Sequence, residues 1–418
     1  MDIIKLKVVN DEFISYLPLF IYKNHVYIIR QNISNNNQGR NFNTFYDGFY
    51  KYNLINNSLE LINTSAPIIE YFYDRDCSAL YYRAIEEKDG KFYSVFFKLD
   101  NDFGTEERLL SVKLQRYVPT SLLTNEEKQI KVDCMIASLE LYVLNKDFLV
   151  YKIDEINSYD EYYNYLDNCN KFKLFVYDVN EKRNYEVKDN SLFKHGIESI
   201  RTFKVNNREY ILISSALYNE ADKYEYIYNP EKTSCNDVRG AIDSIYLIPL
   251  EIFINEIKQD KETLSYQIIE TVGQEGIVRF IHTNKNKIYY KVEYFNENIS
   301  EIAIYDIITK EYERKRFESN WMFSGITLDG STGYFYDDKL SCYVELSGKS
   351  WDNKRAIKIP FNSLNIMEPD IIITEEVNIQ DGKLNFYSNI YDRSNGRLMK
   401  KIQGKPYVFK EDNILIIC

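Results

Sequence analysis

The feature that most constrains the fold of this chain is a strand-ending pattern that returns about every 55 residues, the scale of a repeated supersecondary unit. In each copy an apolar and aromatic run ends in an aromatic residue, a polar residue and an apolar residue. The copies read Lys51-Tyr52-Asn53-Leu54, Phe96-Phe97-Lys98-Leu99, Val176-Tyr177-Asp178-Val179, Ile304-Tyr305-Asp306-Ile307 and, more weakly, Ile245-Tyr246-Leu247-Ile248 and Ile390-Tyr391-Asp392. A short polar turn and another strand-like run follow most copies, so the sequence predicts a repeated β unit.

A hairpin-like segment precedes the pattern in most units. Two apolar runs flank a tight polar turn, as residues 17–22 and 26–30 do around Lys23-Asn24-His25. The chain has 38 Tyr but only 15 Gly and 8 Pro, so Asn and Asp are expected to supply most of the turns. Each unit is therefore predicted to be a four-stranded antiparallel sheet.

Units of this kind resemble the blades of a β-propeller, because a single sheet cannot bury both of its faces and a ring of stacked sheets leaves no long free edges. The resemblance is to the architecture in general, since the chain has no Trp-Asp or kelch signature. It implies an all-β fold and one propeller domain over residues 1–418, with about seven four-stranded blades. The blades are predicted near 13–64, 65–112, 139–190, 196–272, 276–318, 320–362 and 370–418.

The blade count is the open point of this prediction. The terminal run from Pro406 to Ile417 resembles the opening run from Pro18 to Ile29, so the two chain ends are expected to pair within or beside one blade and close the ring. The spacing also fits six or eight blades, and the alternative architecture is a pair of all-β sandwich domains.

Long insertions are predicted on only one face of the ring. Turns between first and second strands are short, as are those between third and fourth strands apart from residues 251–262, where residues 249–258 have helical spacing. Residues 31–43, 153–170 and 216–241 follow second strands, and residues 113–138 join two blades. Strand alternation brings these four segments to the same face, which is where scaffolds carry function, whereas neutral drift would scatter them.

Two of the insertions have the composition of a binding surface. The first combines Tyr with carboxylates and has no Lys or Arg, and its candidate residues are Tyr159, Asp160, Glu161, Tyr162, Tyr163 and Tyr165. The second adds Tyr218, Tyr224, Tyr226 and Tyr228. Because Tyr supplies rigid contact area and carboxylates favour cationic partners, we predict a scaffold that binds a protein or peptide, with a basic one favoured, alone or as an accessory subunit of a complex. The alternative is a short acidic helix that packs its tyrosines on the blade beneath.

An enzyme is the competing hypothesis. His195 is the histidine expected on the insertion face, whereas His25 and His282 are expected at turns on the opposite face. With Arg201 and Arg279, on predicted innermost strands, His195 is the catalytic candidate of a hydrolase or lyase at the axial pocket. The chain has no Gly-x-Ser-x-Gly, phosphate-loop or dinucleotide motif, and residues 100–107 depart from calcium-loop spacing, so no cofactor and no metal are expected.

Charge and cysteine usage limit the remaining classes of function. The formal net charge of −11 disfavours nucleic-acid binding. The 6 cysteines are scattered without C-x-x-C spacing. The chain has neither a secretory h-region at its start nor an apolar run of about 20 residues, so no membrane span is expected and a cytoplasmic location is predicted.

Overall fold

Antiparallel strands dominate the computed structural model, which describes residues 2–8, 14–32, 46–66, 68–74, 79–100, 104–114, 139–154, 172–189, 192, 197–217, 242–272, 276–294, 299–318, 320–348, 351–359, 364–367, 370–380, 383–409 and 412–418. Within these ranges the chain forms 31 strands and one helix. After β1 (Asp2–Lys5), the strands β2 to β29 form seven sheets. In each sheet four consecutive strands pair in the order of the sequence.

The first four sheets, blades 1 to 4, have the following strands. Blade 1 contains β2 (Ile14–Tyr22), β3 (His25–Asn32), β4 (Tyr46–Asn53) and β5 (Leu59–Ile62). Blade 2 contains β6 (Glu70–Asp74), β7 (Ala79–Lys88), β8 (Lys91–Leu99) and β9 (Glu106–Lys113). Blade 3 contains β10 (Leu139–Val143), β11 (Phe148–Asp154), β12 (Phe172–Asp178) and β13 (Arg183–Glu186). Blade 4 contains β14 (Ile197–Val205), β15 (Arg208–Leu217), β16 (Ile242–Pro249), α1 (Leu250–Lys258) and β17 (Gln267–Thr271).

Blades 5 to 7 repeat the same order. Blade 5 contains β18 (Gly276–Asn284), β19 (Lys287–Tyr294), β20 (Ile299–Asp306) and β21 (Tyr312–Glu318). Blade 6 contains β22 (Met322–Ile326), β23 (Thr332–Asp337), β24 (Cys342–Ser347) and β25 (Asn353–Ile357). Blade 7 contains β26 (Leu364–Met367), β27 (Ile371–Gln380), β28 (Lys383–Asp392) and β29 (Leu398–Gln403).

The eighth sheet, blade 8, joins the two ends of the chain. The hairpin of β30 (Pro406–Phe409) and β31 (Ile414–Ile417) takes β1 as its third strand, with Ile3 beside Leu415 and Ile4 beside Ile416 in parallel register. Innermost β30 lies next to β2 of blade 1 and β27 of blade 7, so this sheet closes the ring. Over the described residues, the fold is a β-propeller of seven four-stranded blades and one three-stranded sheet.

The region predicted as the last blade, residues 370–418, is divided between two sheets. The first strand of blade 7 is β26, which lies before the predicted range and is only 4 residues long. The terminal hairpin does meet the N-terminal part of the chain, as expected. Its partner is β1, however, and not the opening hairpin of blade 1.

Period-two alternation divides each strand between two cores. On β7, Tyr82 packs into the core shared with blade 1, whereas its neighbour Tyr81 packs into the core shared with blade 3. Both side chains are fully buried, as are Tyr52, Tyr289, Tyr290, Tyr305, Tyr334 and Tyr343. Because successive side chains of a strand point to opposite faces, a blade buried on both sides needs apolar residues at nearly every position of its central strands.

The recurring sequence pattern corresponds to the turn between third and fourth strands. Asn53, Asp178 and Asp306 each accept hydrogen bonds through Oδ1 from the N–H groups of the residues two and three positions later. The apolar residue that follows donates its N–H to the first hairpin turn of the same blade, as Ile307 does to the carbonyl of Asn286 at 2.9 Å and Val179 to that of Asp147 at 2.9 Å. The polar residue therefore closes one turn and aligns it with the other.

The predicted helix is confirmed as α1, between the third and fourth strands of blade 4. It buries Leu250, Phe253, Ile254 and Ile257 in the core shared by blades 3 and 4. The spacing of these residues places them on one side of a helix. The long turn therefore covers the end of an inter-blade core.

Candidate functional site

The two faces of the ring differ in how their strands are connected. On the turn face, first and second strands are joined by short turns such as Lys23-Asn24 and Lys285-Asn286, and third and fourth strands by short turns or by α1. On the opposite side, here called the insertion face, lie the connections from second to third strands and from blade to blade. The four long segments leave strand ends on that side, after β3, β9, β11 and β15. This confirms the predicted placement of long loops on one face.

Two of the long segments begin and end at directly paired residues. Asp154 of β11 pairs with Phe172 of β12, and Leu217 of β15 pairs with Ile242 of β16. Beside the first pair, the largely buried Lys152 places its Nζ 5.3 Å from the centre of the Phe172 ring. Each insertion is thus anchored on a closed strand ladder, which fixes where it leaves the ring.

Most of the predicted site residues lie outside the described residues. These are His195, Tyr159, Asp160, Glu161, Tyr162, Tyr163, Tyr165, Tyr218, Tyr224, Tyr226 and Tyr228. The roles predicted for these residues stay predictions.

The two candidate arginines lie on innermost strands, as expected, and each has a partner within the ring. Arg201 on β14 stacks its guanidinium 4.8 Å from the centre of the Phe280 ring of blade 5. Arg279 on β18 places Nε 3.8 Å from Oε2 of Glu293 on β19. Such contacts give both side chains structural roles between or within blades. The enzymatic hypothesis that combines them with His195 stays a prediction.

His25 and His282 occupy the turn face, on the first hairpins of blades 1 and 5. His282 stacks on Tyr289 with ring centres 4.4 Å apart, and its Nε2 lies 3.3 Å from the carbonyl oxygen of Leu328 in blade 6. Burial, with the positive charge of Lys51, lowers the pKa of His25 below its ordinary value.

Hydrogen bonds between neighbouring blades tie the turn face together. Asn145 donates to Glu209 at 3.1 Å between blades 3 and 4, and Asn284 donates to the carbonyl of Leu328 at 2.7 Å between blades 5 and 6. The Nζ of Lys315 donates to the carbonyl of Gly330 at 3.0 Å across that same boundary. Polar groups on this face therefore satisfy one another and hold the blades in register.

Hydrogen bonds join the described ends of residues 100–107, the segment that resembles a calcium loop. The Asp100 Oδ1 atom accepts the N–H groups of Gly104 and Thr105, and the Glu106 carboxylate accepts hydrogen bonds from the hydroxyls of Ser65 and Tyr82. The described ranges contain no cluster of His, Cys, Asp and Glu suited to a metal ion. Nor does any helix found in them have the length and apolarity needed to cross a bilayer.

Sequence reasoning missed two ion-pair clusters on the outer strands, each centred on a buried glutamate. Glu301 accepts hydrogen bonds from Arg314 and Arg316, both at 3.0 Å, and Arg314 continues to Glu270 at 2.6 Å. In blade 6, Glu345 accepts a hydrogen bond from Arg355 at 2.6 Å. The signal was the run of charged residues along β21, Glu313-Arg314-Lys315-Arg316. Because every carboxylate named is paired, these clusters are structural.

Another missed feature is the end of the second hairpin of blade 7 on the insertion face. Pairing with β26 stops at Thr374 of β27, and pairing with β29 begins at Tyr387 of β28, so residues 377–380 and 383–386 pair as a two-stranded extension, here called the blade 7 ribbon. Its outer part exposes Val377 (48%), Ile379 (76%) and Leu384 (37%). The signal was the alternating apolar pattern on both sides of Asp381-Gly382.

Comparisons with known proteins yield only distant structural similarity. No protein-family model and no curated protein matches the sequence. Three similar solved structures, each 11% identical, are the β-propeller domain of the Trilobed protease from Pyrococcus furiosus, dipeptidyl peptidase 4 from Porphyromonas gingivalis and oligogalacturonate lyase from Vibrio parahaemolyticus. Their TM-scores are 0.42, 0.48 and 0.46.

Coverage differs among these structures. The similarity covers 94%, 93% and 90% of this chain, and 96%, 59% and 91% of the other chains, respectively. This chain therefore spans little more than half of the peptidase. The sheet order of the chain itself defines its fold.

Proposed function

We propose that the protein is a scaffold that binds a protein or an extended peptide on its insertion face. The observation that carries this proposal is the asymmetry of the ring. Four long connections leave strand ends on one face, whereas the other face has short, mutually hydrogen-bonded turns apart from the connection that contains α1. Insertions that drifted without selection would occupy both faces, because loop length costs little stability on either one.

The anchoring of the insertions supports a binding role. Asp154 with Phe172, and Leu217 with Ile242, hold the bases of the two Tyr-rich insertions on ladders that continue into the blades. A rigid base limits the entropy lost when a loop is ordered against a partner. Tyr side chains on such loops offer large contact area with few rotatable bonds.

Charge supports a cationic partner. Residues 155–170 of the first insertion include acidic residues and no Lys or Arg, and the whole chain has a net charge of −11. Carboxylates around a contact surface raise the association rate of basic partners and repel acidic ones. The proposed ligand is therefore a protein segment rich in Lys or Arg.

The test uses the pairing at the base of each insertion. Since Asp154 and Phe172 are paired, residues 155–171 can be replaced by Asn-Gly, the two-residue turn that suits such a hairpin. The same replacement fits residues 218–241 between Leu217 and Ile242. Peptides are first selected on the unaltered protein from a random displayed library, and their Kd values are then measured for the wild type and both loop replacements.

Selected peptides are expected to be rich in Lys and Arg and to bind more weakly at higher salt. Loop replacement is expected to raise their Kd by about tenfold or more. Ile308→Ser on the turn face is the control, because this exposed side chain lies at the end opposite the insertions. Peptides without basic residues, or equal affinity for the loop replacements and the wild type, would contradict the proposal.

A further inference from the structure

Blade 8 is one strand short of the other blades. Blades 1 to 7 each have a fourth, outermost strand, whereas the described strands of blade 8 end at the third one, β1. Among the described residues, none pairs with the outer edge of β1. The fourth-strand position of blade 8 therefore lies between the outermost strand of blade 7, β29, and that of blade 1, β5.

The backbone of β1 presents hydrogen-bonding groups to this position. Asp2 donates its N–H to Asn413 at 3.2 Å, and Leu6 donates its N–H to Ile417 at 2.9 Å, so alternate residues of β1 bond inward to β31. Ile3 and Lys5, between them, direct their N–H and C=O groups outward, because these groups alternate in direction along a strand. An added strand can bond to those groups.

The blade 1 side of the position is apolar. Leu59 and Leu61 of β5 pair with Tyr52 and Tyr50, whose side chains belong to the core between blades 1 and 8. Paired residues share a face, so both leucines project toward blade 8. They remain 36% and 50% exposed, which leaves apolar side chains uncovered where a fourth strand of blade 8 would lie.

The blade 7 side is basic. Lys400 of β29 pairs with Ile390, and Lys5 of β1 pairs with Ile417; both isoleucines belong to the core between blades 7 and 8. The two lysines therefore project on the blade 7 side of the position, and neither has an ion-pair partner within the described part of the chain. In a chain with a net charge of −11, this is a local reversal of sign.

We propose that the fourth-strand position of blade 8 binds an extended segment of another polypeptide, in which apolar and acidic residues alternate. Strand addition to β1 supplies the backbone hydrogen bonds. The apolar side chains cover Leu59 and Leu61, while the acidic side chains face Lys5 and Lys400. The site lies on the rim of the ring, so it is separate from the proposed function of the insertion face.

The probe is a fluorescein-labelled peptide of about eight residues, long enough for one strand, in which Glu and Val alternate. Two controls have related composition: one alternates Lys and Val, and the other has all Glu residues before all Val residues. Fluorescence anisotropy with the full chain is expected to show saturable binding of the alternating Glu-Val peptide alone.

Surface variants test the two sides separately. Leu61→Ser is expected to raise the Kd of the alternating Glu-Val peptide by about tenfold. Ile268→Ser is the matched control, because Ile268 is 52% exposed on the outermost strand of blade 4. Lys400→Glu is expected to lower the affinity for the Glu-Val peptide and to create binding of the Lys-Val peptide. Circular dichroism checks that each variant is folded.

Four results would overturn the proposal. The first is equal binding of the alternating and blocked Glu-Val peptides, and the second is no saturable binding of either. The third is an equal effect of Leu61→Ser and Ile268→Ser. The fourth is concentration-dependent self-association that Leu61→Ser abolishes, since the occupant would then be a second copy of this chain.

Discussion

At the scale of single residues, buried charge is retained where a partner from another part of the chain compensates it. The side chain of Asp178, only 3% exposed at the end of β12, accepts a hydrogen bond from Lys258 of α1 at 2.6 Å. Burial by itself raises the pKa of this carboxyl. The hydrogen bonds from Lys258 and from the N–H groups of Glu181 and Asn180 outweigh burial, so the pKa is lowered overall. The pair therefore links α1 to blade 3.

Lys258→Met is expected to destabilise the protein by about 1–3 kcal/mol at pH 7, because it leaves the Asp178 carboxylate buried without its cation. The full loss of stability is expected above the unfolded-state pKa of about 3.9. It is expected to shrink as pH falls through the lower folded-state pKa, because Asp178 then becomes neutral. Urea unfolding at pH 7 and pH 3 measures both effects.

The control is Lys188→Met, which removes an ion pair with Asp260 in which both side chains are exposed. Exposed pairs contribute little, so its effect is expected to be the smaller one at pH 7. Equal destabilisation by the two substitutions, or a Lys258→Met effect that is the same at both pH values, would contradict this account.

At the scale of elements, the turn between third and fourth strands carries the repeated chemistry of the blade. Asp306 accepts hydrogen bonds from the N–H groups of Ile308 and Thr309 through Oδ1 and from the amide of Asn286 through Oδ2. It therefore joins the two turns of blade 5 that the sequence pattern places far apart in the chain. Short polar residues recur at this position because they alone reach the local backbone.

Asp306→Ala is expected to lower the free energy of unfolding by about 0.5–2 kcal/mol, as the loss of a capping side chain does. Asp306→Asn keeps an oxygen that can accept from the turn, so its effect is expected to be smaller. Chemical denaturation of both variants measures the difference. If Asp306→Asn lowers the free energy of unfolding as much as Asp306→Ala does, the negative charge, and not turn closure, stabilises blade 5.

At the scale of the whole molecule, stability depends on closing the ring through blade 8. Leu6 follows β1 and is buried with Val26, Ile28 and Tyr52 of blade 1 and Ile416 of blade 8. This core unites the first residues of the chain with the last ones. A ring whose neighbours share every core is expected to unfold as one cooperative unit.

Leu6→Ala is expected to cost about 2–5 kcal/mol. Trp321 and Trp351, the two tryptophans of the chain, are both buried in the core between blades 5 and 6 and report on a distant part of the ring. Their fluorescence midpoint in urea is expected to shift as far as the midpoint from far-UV circular dichroism. An unchanged fluorescence midpoint would contradict the closed, cooperative ring.

The sequence by itself determined the local features of this protein. Residues such as Asp178 and Asp306 close turns with neighbours two or three positions away, and the spacing of Leu250, Ile254 and Ile257 places them on one side of a helix, so both features are readable without the fold. Strand alternation also predicted the face that carries the insertions. The chemistry of these insertions stays a prediction, because their candidate residues lie outside the described ranges.

Only the tertiary structure decided how the ring closes and which charged groups are paired. The 4 residues of β1 carry too short a pattern to reveal a strand, and their partner, β31, lies at the other end of the chain. Likewise, Lys258 and Asp178 are 80 positions apart, and their contact depends on the packing of α1 against blade 3. Contacts of this kind arise from the order of sheets around the ring, which local spacing does not encode. For the same reason, the fourth-strand position of blade 8, which no described residue fills, is defined only by the tertiary structure, in which blades 1 to 7 have four strands each.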